Sequence, residues 1–220
     1  MQMYWHDFTF NQAELRALPA GALLWRAKSL LCVSDLHLGK SERLARRAGQ
    51  LTPPYDSLET LTRLKDLIDQ HNPQTVICLG DSFDDTIAGQ DLAPDLLQLL
   101  STLTAGRKWI WITGNHDPGL LDLQGSWLHE VKEETLTFRH IAEKTCQAGE
   151  VSGHFHPKAS LKGRSRPCFC YDERRLILPA FGTYTGGLKV SDPNIASLFG
   201  KEARAVMTGA RTITLPLKSA

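Results

Sequence analysis

The stretch LLCVSDLHLG, residues 30–39, begins as an apolar run and then breaks into Asp35 and His37, two positions apart. An apolar run of this kind reads as a strand covered on both faces. Its polar end has two readings. One is a turn with incidental polar residues; the other is half of a metal site, in which a cation removes the penalty for burying a carboxylate and an imidazole. Which reading holds depends on whether the rest of the chain supplies further ligands.

Other short apolar runs follow: TVICLG (75–80), KWIWITG (108–114), TLTFRH (135–140) and EVSGH (150–154). Each predicts a strand. Between the first three strands lie two helical patterns. In YDSLETLTRLKDLIDQHNP (55–73), Asp56 or Ser57 can cap, Leu58, Leu61, Leu64 and Ile68 share a face, and Pro73 ends the helix. In APDLLQLLSTLTAG (93–106), Leu96, Leu97, Leu99, Leu100 and Leu103 are the apolar positions and Gly106 is the stop. This alternation predicts an α/β architecture with parallel strands and helices packed on the sheet. After residue 135, CFCYDERRLILPAF (168–181) and ARAVMTGARTITLPL (203–217) read as hairpins, the latter turning at Thr208 and Gly209, and predict a second sheet. An initial hairpin of YWHDFTF (4–10) and ALLWRAKSLLCVS (22–34) is expected to join that second sheet. The result is two sheets face to face with helices outside.

A chain of 220 residues suits one core, so residues 1–220 are expected to form a single domain. With 25 basic and 24 acidic residues, no global field marks a nucleic-acid or membrane binder, and any such preference must be local. Five cysteines are an odd number, two of them lie inside strand-like runs, and the N-terminal MQMYWHDFTF lacks a basic segment followed by an apolar one. A reducing cytoplasm is the expected location. No run approaches the roughly 18 apolar residues of a spanning helix, so no membrane association is expected. Cys168 and Cys170 alternate onto one strand face and read as structural.

Polar clusters recur where strand after strand ends. They are Asp35-Leu-His37, Gly80-Asp81-Ser-Phe-Asp84, Gly114-Asn115-His116-Asp117, His140, and Gly153-His154-Phe-His156. Singly, each has a structural reading; GNHDP, for instance, is a respectable helix start with Asp117 capping. Together they hold five of the eight histidines, while His6, His71 and His129 fall elsewhere. The carboxyl ends of neighbouring parallel strands line one crevice, so the clusters are expected to converge. Asp35, His37, Asp81, Asn115, His140, His154 and His156 then offer seven oxygen and nitrogen donors. That set suits manganese, iron or zinc better than magnesium or calcium, and its size fits two ions. Two cations roughly 3.5–4 Å apart lower the pKa of a shared water and neutralise phosphoryl charge, which makes phosphoester hydrolysis the natural reaction.

SDLHLG, GDSFDD, GNHD and GHFHP, in this order and with a histidine before the last, resemble the motifs of the calcineurin-like metallophosphoesterases. The resemblance implies that family's sandwich of two mixed β-sheets flanked by α-helices. It also implies a first metal on Asp35, His37, Asp81 and His156 and a second on Asp81, Asn115, His140 and His154, with Asp81 bridging and His129 the alternative to His140. It gives His116 the role of acid on the leaving oxygen and Asp84 that of the carboxylate orienting its ring. A narrower likeness covers SDLHLGKSERLARRAGQLTPPYDSLETLTRL, WITGNHDP, GEVSGHFHP and LPAFGTYTGGL. These are similar to bacterial ligase-associated DNA damage response endonucleases, which implies phosphodiester hydrolysis in nucleic acid by a metal-bridging hydroxide. That likeness further implies manganese, with iron or zinc as alternatives, and a DNA-repair set including a DNA ligase, a helicase and an exonuclease.

Two basic clusters flank the motifs. Lys40, Arg43, Arg46 and Arg47 follow the first; Lys158, Lys162, Arg164 and Arg166 follow the last, with Arg174 and Arg175 nearby. They read either as phosphate contacts beside the site or as solvated faces. Phe155, Phe169, Tyr171, Phe181 and Tyr184 are the aromatic candidates for stacking. Two other functions stay open: the same site acting on a small nucleotide-linked diester or pyrophosphate, and a non-catalytic scaffold that docks on repair proteins.

Overall fold

A computed structural model of the chain describes residues 5–41, 55–85, 89, 92–117 and 123–217. The first sheet takes its strands in sequence order: β1 (His6–Phe10), β2 (Ala13–Ala17), β3 (Leu23–Trp25), β4 (Leu30–Val33), β5 (Thr75–Leu79), β6 (Lys108–Ile112) and β7 (Ser126–Leu128). Pairing is antiparallel from β1 to β4 and parallel from β4 to β7. The second sheet is built from β8 (Glu130–Glu133), β9 (Leu136–Arg139), β10 (Glu150–Ser152), β11 (Lys158–Leu161), β12 (Arg164–Tyr171), β13 (Arg175–Ile177), β14 (Arg204–Met207) and β15 (Ile213–Pro216). Its order is β15-β14-β12-β13-β10-β9-β8, with β11 attached to β12. Among the described residues the helices placed in full are α1 (Asp56–His71), α2 (Pro94–Thr104) and the short α3 (Pro193–Ala196). No described helix is long and apolar enough to cross a membrane.

The initial hairpin joins the first sheet, not the second. A single 3-10 turn, Arg26–Lys28, separates β3 from β4, so β3 must lie beside β4 and carries β2 and β1 with it. The partner of β1 is β2, not the 22–34 segment expected from the sequence; AELRA is short and half polar and carries little strand signal.

The apolar runs are continuous because the central strands are buried on both faces. Leu31, Val33, Val76, Cys78, Trp109 and Trp111 face Leu61, Leu64, Ile68, Leu96, Leu100 and Leu103 of α1 and α2. The alternate residues Leu30, Cys32, Ile77, Leu79, Ile110 and Ile112 meet Leu136, Phe138, Val151, Phe169, Leu176 and Val206 of the other sheet. A third apolar layer, with Cys168, Cys170 and Ile177, covers the outer face of the second sheet; the two thiol sulfurs lie 3.8 Å apart, and all five cysteines are free. Leu58 is 43% exposed and does not join the core face of α1; Leu67 is buried there in its place.

Neither Asp56 nor Ser57 caps α1. Ser57 Oγ instead accepts the Gly39 N–H at 2.8 Å, and Asp56 Oδ2 accepts the Ser41 N–H at 3.0 Å. The helix start thereby holds the loop that follows β4.

Candidate metal centre

The loops after β4 and β5 keep pairing beyond their strands. Asp35, His37 and Leu38 donate their N–H groups to the carbonyls of Gly80, Asp81 and Ser82 at 3.2, 2.9 and 3.0 Å, and Asp84 N–H returns to Leu38 O at 3.0 Å. This zipper sets the first two motifs side by side. Phe83, fully buried between Asp84 and Ser82, packs on the Trp111 ring and anchors the second loop in the core. Asp117 ties in the third motif: its carboxylate accepts from Gly114 N–H at 2.7 Å, Ser82 N–H at 2.8 Å and Phe83 N–H at 3.1 Å. In the sequence Asp117 reads as a helix cap; in the structure it is an acceptor that joins two motifs. Asp117→Ala leaves these three donors without their acceptor and is expected to lower unfolding free energy by about 2–3 kcal/mol, read from urea denaturation. An unchanged midpoint would remove Asp117 from the frame of the site.

Two donor groups form at the mouths of the strands. One comprises Asp35, His37 and His156, the other Asp81, His140 and His154; within each, one ligand atom per residue lies within 4.8 Å of the others. Asp35, His37 and Asp81 follow strands of the first sheet, whereas His140, His154 and His156 follow β9 and β10 of the second. The crevice therefore straddles both sheets. In the first group, His156 Nε2 is 3.2 Å from Asp35 Oδ1 and 3.4 Å from His37 Nε2. In the second, His140 Nε2 is 3.4 Å from Asp81 Oδ2, 3.0 Å from Asn115 Oδ1 and 3.2 Å from His154 Nδ1. His140 Nδ1–H donates to Leu79 O at 2.8 Å, which turns Nε2 toward these donors, where a proton or a cation can sit. Lone pairs converging at such distances repel unless a proton or cation lies among them, and the mixed nitrogen and oxygen chemistry fits a transition metal. The residues present thus fit the metal ions implied by the sequence motifs, and His140 rather than exposed His129 stands in the cluster.

Electrostatics point the same way. Burial would raise the Asp35 carboxyl, but His156, His140 and the Ser34 hydroxyl overcome it and hold the pKa below the usual range. Asp81, pushed up by burial, is drawn down to about 2 by His140 and the His116 N–H. His140, which burial alone would lower, is raised to about 9 by Asp81 and Asp35. His154 is lowered, by burial first and His140 second. Asp35, His37, Asp81, His154 and His156 all have positive φ, between 46° and 69°. Non-glycine residues adopt this left-handed region at a cost of roughly 1–3 kcal/mol each, and such strain gathers at functional sites.

His116 is exposed, with its ring 5.8 Å from that of His37, and its N–H donates to Asp81 Oδ1 at 2.8 Å. Asp84 departs from the expected arrangement: its Oδ1 lies 2.9 Å from His37 Nδ1 and 3.8 Å from Lys40 Nζ. Since it follows the strand beside β4, the carboxylate meets His37, a ligand candidate, and is placed to set that ring rather than the ring of His116. Among the basic candidates, Lys158 Nζ donates to Thr185 O at 3.3 Å, and Arg164 is exposed where β12 begins. Arg175 is buried against Glu150 and Glu143 O and does not face a ligand from solution. Arg43, Arg46 and Arg47 lie outside the described residues.

This fold and paired donor groups define a metal-dependent phosphoesterase. A family model, calcineurin-like phosphoesterase, matches residues 28–189, and the chain belongs to that family. Among solved structures, the nuclease MPE of Pseudomonas putida is similar at a TM-score of 0.75 and 27% identity, over 96% of this chain and 100% of that one. It agrees with the narrower likeness drawn from the motifs. Yfce, a phosphoesterase from E. coli, aligns with a TM-score of 0.44 and 15% identity, over 86% of this chain and 99% of that one. A comparison with curated proteins finds no match.

Proposed function

We propose that the protein is a two-metal phosphodiesterase acting on nucleic acid, with DNA in repair as its setting. The observation that carries this reading is the pair of donor groups at one crevice, with Asp35, His37 and His156 in one and Asp81, His140 and His154 in the other. Two divalent cations held there, manganese in the first instance, would supply Lewis-acid charge and lower the pKa of a water for attack on phosphorus. Asp81, His140 and His154, with Asn115 beside them, would hold one ion, and Asp35, His37 and His156 the other, the Asp81 carboxylate being the one proposed to serve both. His116, next to the first group but outside both, contacts the phosphate and gives a proton to the leaving oxygen. Asp84 fixes the His37 ring.

The similar nuclease from Pseudomonas putida supports a nucleic-acid substrate. Lys40, Arg43, Arg46 and Arg47 on one flank and Lys158 and Arg164 on the other are the residues for the sugar-phosphate backbone. A DNA ligase, a helicase and an exonuclease are the fitting partners, in the cytoplasm, and residues 1–220 form one catalytic domain.

Manganese-loaded protein is expected to hydrolyse both an aryl phosphodiester and a labelled oligonucleotide. Oligonucleotide affinity should fall steeply between about 50 and 200 mM salt as counterion release weakens. Cleavage of the small diester alone, with salt-insensitive oligonucleotide binding, would move the substrate to a small nucleotide-linked compound. No hydrolysis of either would overturn the enzymatic reading.

A further inference from the structure

The loop FGTYTGGL, residues 181–188, supplies no ligand, yet it touches one donor group at both ends. Phe181 N–H donates to Ser34 O at 2.7 Å and Gly182 N–H to Asp35 O at 3.0 Å. A Cβ on Gly182 would fall 2.2 Å from Leu36 O; one on Gly187 would fall 2.1 Å from His156 O. The loop therefore runs from one ligand of the Asp35–His37–His156 group to another. It is tied down between these points. Thr183 N–H donates to Thr60 Oγ1 of α1 at 3.0 Å, Thr185 Oγ1 to Gly182 O at 3.1 Å, and Lys158 Nζ to Thr185 O. Arg63 lies 4.6 Å over the Phe181 ring and bonds the Phe181 carbonyl.

At the middle of this braced loop stands Tyr184, 50% exposed and with φ at 57°. Left-handed backbone costs a tyrosine roughly 1–2 kcal/mol that glycine would avoid. An exposed, strained tyrosine contributes little to the core, so folding does not account for it. The other aromatic candidates are engaged elsewhere. Phe169 and Phe181 are buried, Tyr171 packs 4.6 Å from Phe8, and Phe155 packs 5.1 Å from His154. Tyr184 is the one of the five that is exposed.

We infer that Tyr184 is a stacking platform for the nucleobase next to the phosphate held at the Asp35–His37–His156 group. The inference rests on the nucleic-acid reading above. Stacking on an aromatic ring is tolerant of base identity, and a platform whose backbone is already braced has only side-chain freedom left to lose on binding. Tyr184 acts as a positioning residue, without a part in proton transfer or metal binding.

The test compares a thymidine oligonucleotide with an abasic oligonucleotide of equal length, using manganese-loaded protein. The wild-type KM should be about tenfold lower on the base-bearing strand. Tyr184→Ala should raise that KM about tenfold with kcat held within about twofold, closing the gap between the two substrates. Tyr184→Phe and Tyr184→Trp should restore it. Tyr184→Ala with a wild-type gap, or with KM raised equally on both strands, overturns the inference while leaving the nucleic-acid reading in place. Cleavage of neither strand by wild-type protein that hydrolyses bis(4-nitrophenyl) phosphate removes both.

Discussion

His116→Ala is expected to keep its metal and lose about two to four orders of magnitude in turnover, whereas Asp81→Asn is expected to lose the metal itself. The difference follows from where the two side chains act. The His116 imidazole is outside both donor groups, and its only bond to a ligand is made by the backbone N–H to Asp81 Oδ1, which alanine retains. With His116 in its proposed role of general acid, its removal should cost about 10²–10⁴ in rate. The deficit should shrink on a substrate with a 4-nitrophenolate leaving group, which departs without a proton, and stay large on an alkyl ester. In Asp81→Asn the amide keeps an acceptor for the His116 N–H, but the negative charge facing His140 Nε2 at 3.4 Å is gone. Metal content after desalting, measured beside kcat for both variants, separates the two effects. Equal metal loss in both would refute the division of labour between ligand and acid.

How much of this was legible in the sequence depended on whether a feature was local. The strands around residues 30, 75, 108, 136 and 150 and both long helices follow from periodicity, and their polar ends mark the residues that meet in the two donor groups. The placement of His140 was readable because it ends β9, although it carries no motif of its own. What escaped were contacts set by register and crossing. Asp84 lies on His37 because the two loops continue the β4–β5 pairing, as the Leu38–Phe83 bridge records, and no pattern in GDSFDD states which histidine it will meet. Asp56 and Ser57 look like caps in isolation, and only the approach of the residue 39–41 backbone turns them into clamps. Exposure was equally hidden: Phe169, Phe181 and Tyr184 are alike as sequence, and burial alone distinguishes them.

Gly153→Ala should destabilise the protein and loosen the metal centre together. The backbone at Gly153 does not have the positive φ of its neighbour His154, so the constraint is space and not conformation. An ideal Cβ there would sit 1.8 Å from Ser34 Oγ and 2.6 Å from Asp35 Oδ2. Neither neighbour can retreat into solvent, since Ser34 and Asp35 have no exposed surface. The Asp35 carboxylate is also held by the Ser34 hydroxyl and by His154 N–H at 3.0 Å. Because Gly153 follows β10 and Ser34 follows β4, the methyl acts as a wedge between the two sheets at the point where their ligands meet. Overpacking of this sort costs about 1–3 kcal/mol, and the displaced Asp35 should release the metal of its group as well. Ser34→Ala in the same chain removes the nearest atom and should recover part of the stability, a coupling measurable in a double-mutant cycle. A Gly153→Ala protein with unchanged denaturation midpoint and full metal content would mean that the sheets are not in contact there and that Asp35 is not held as described.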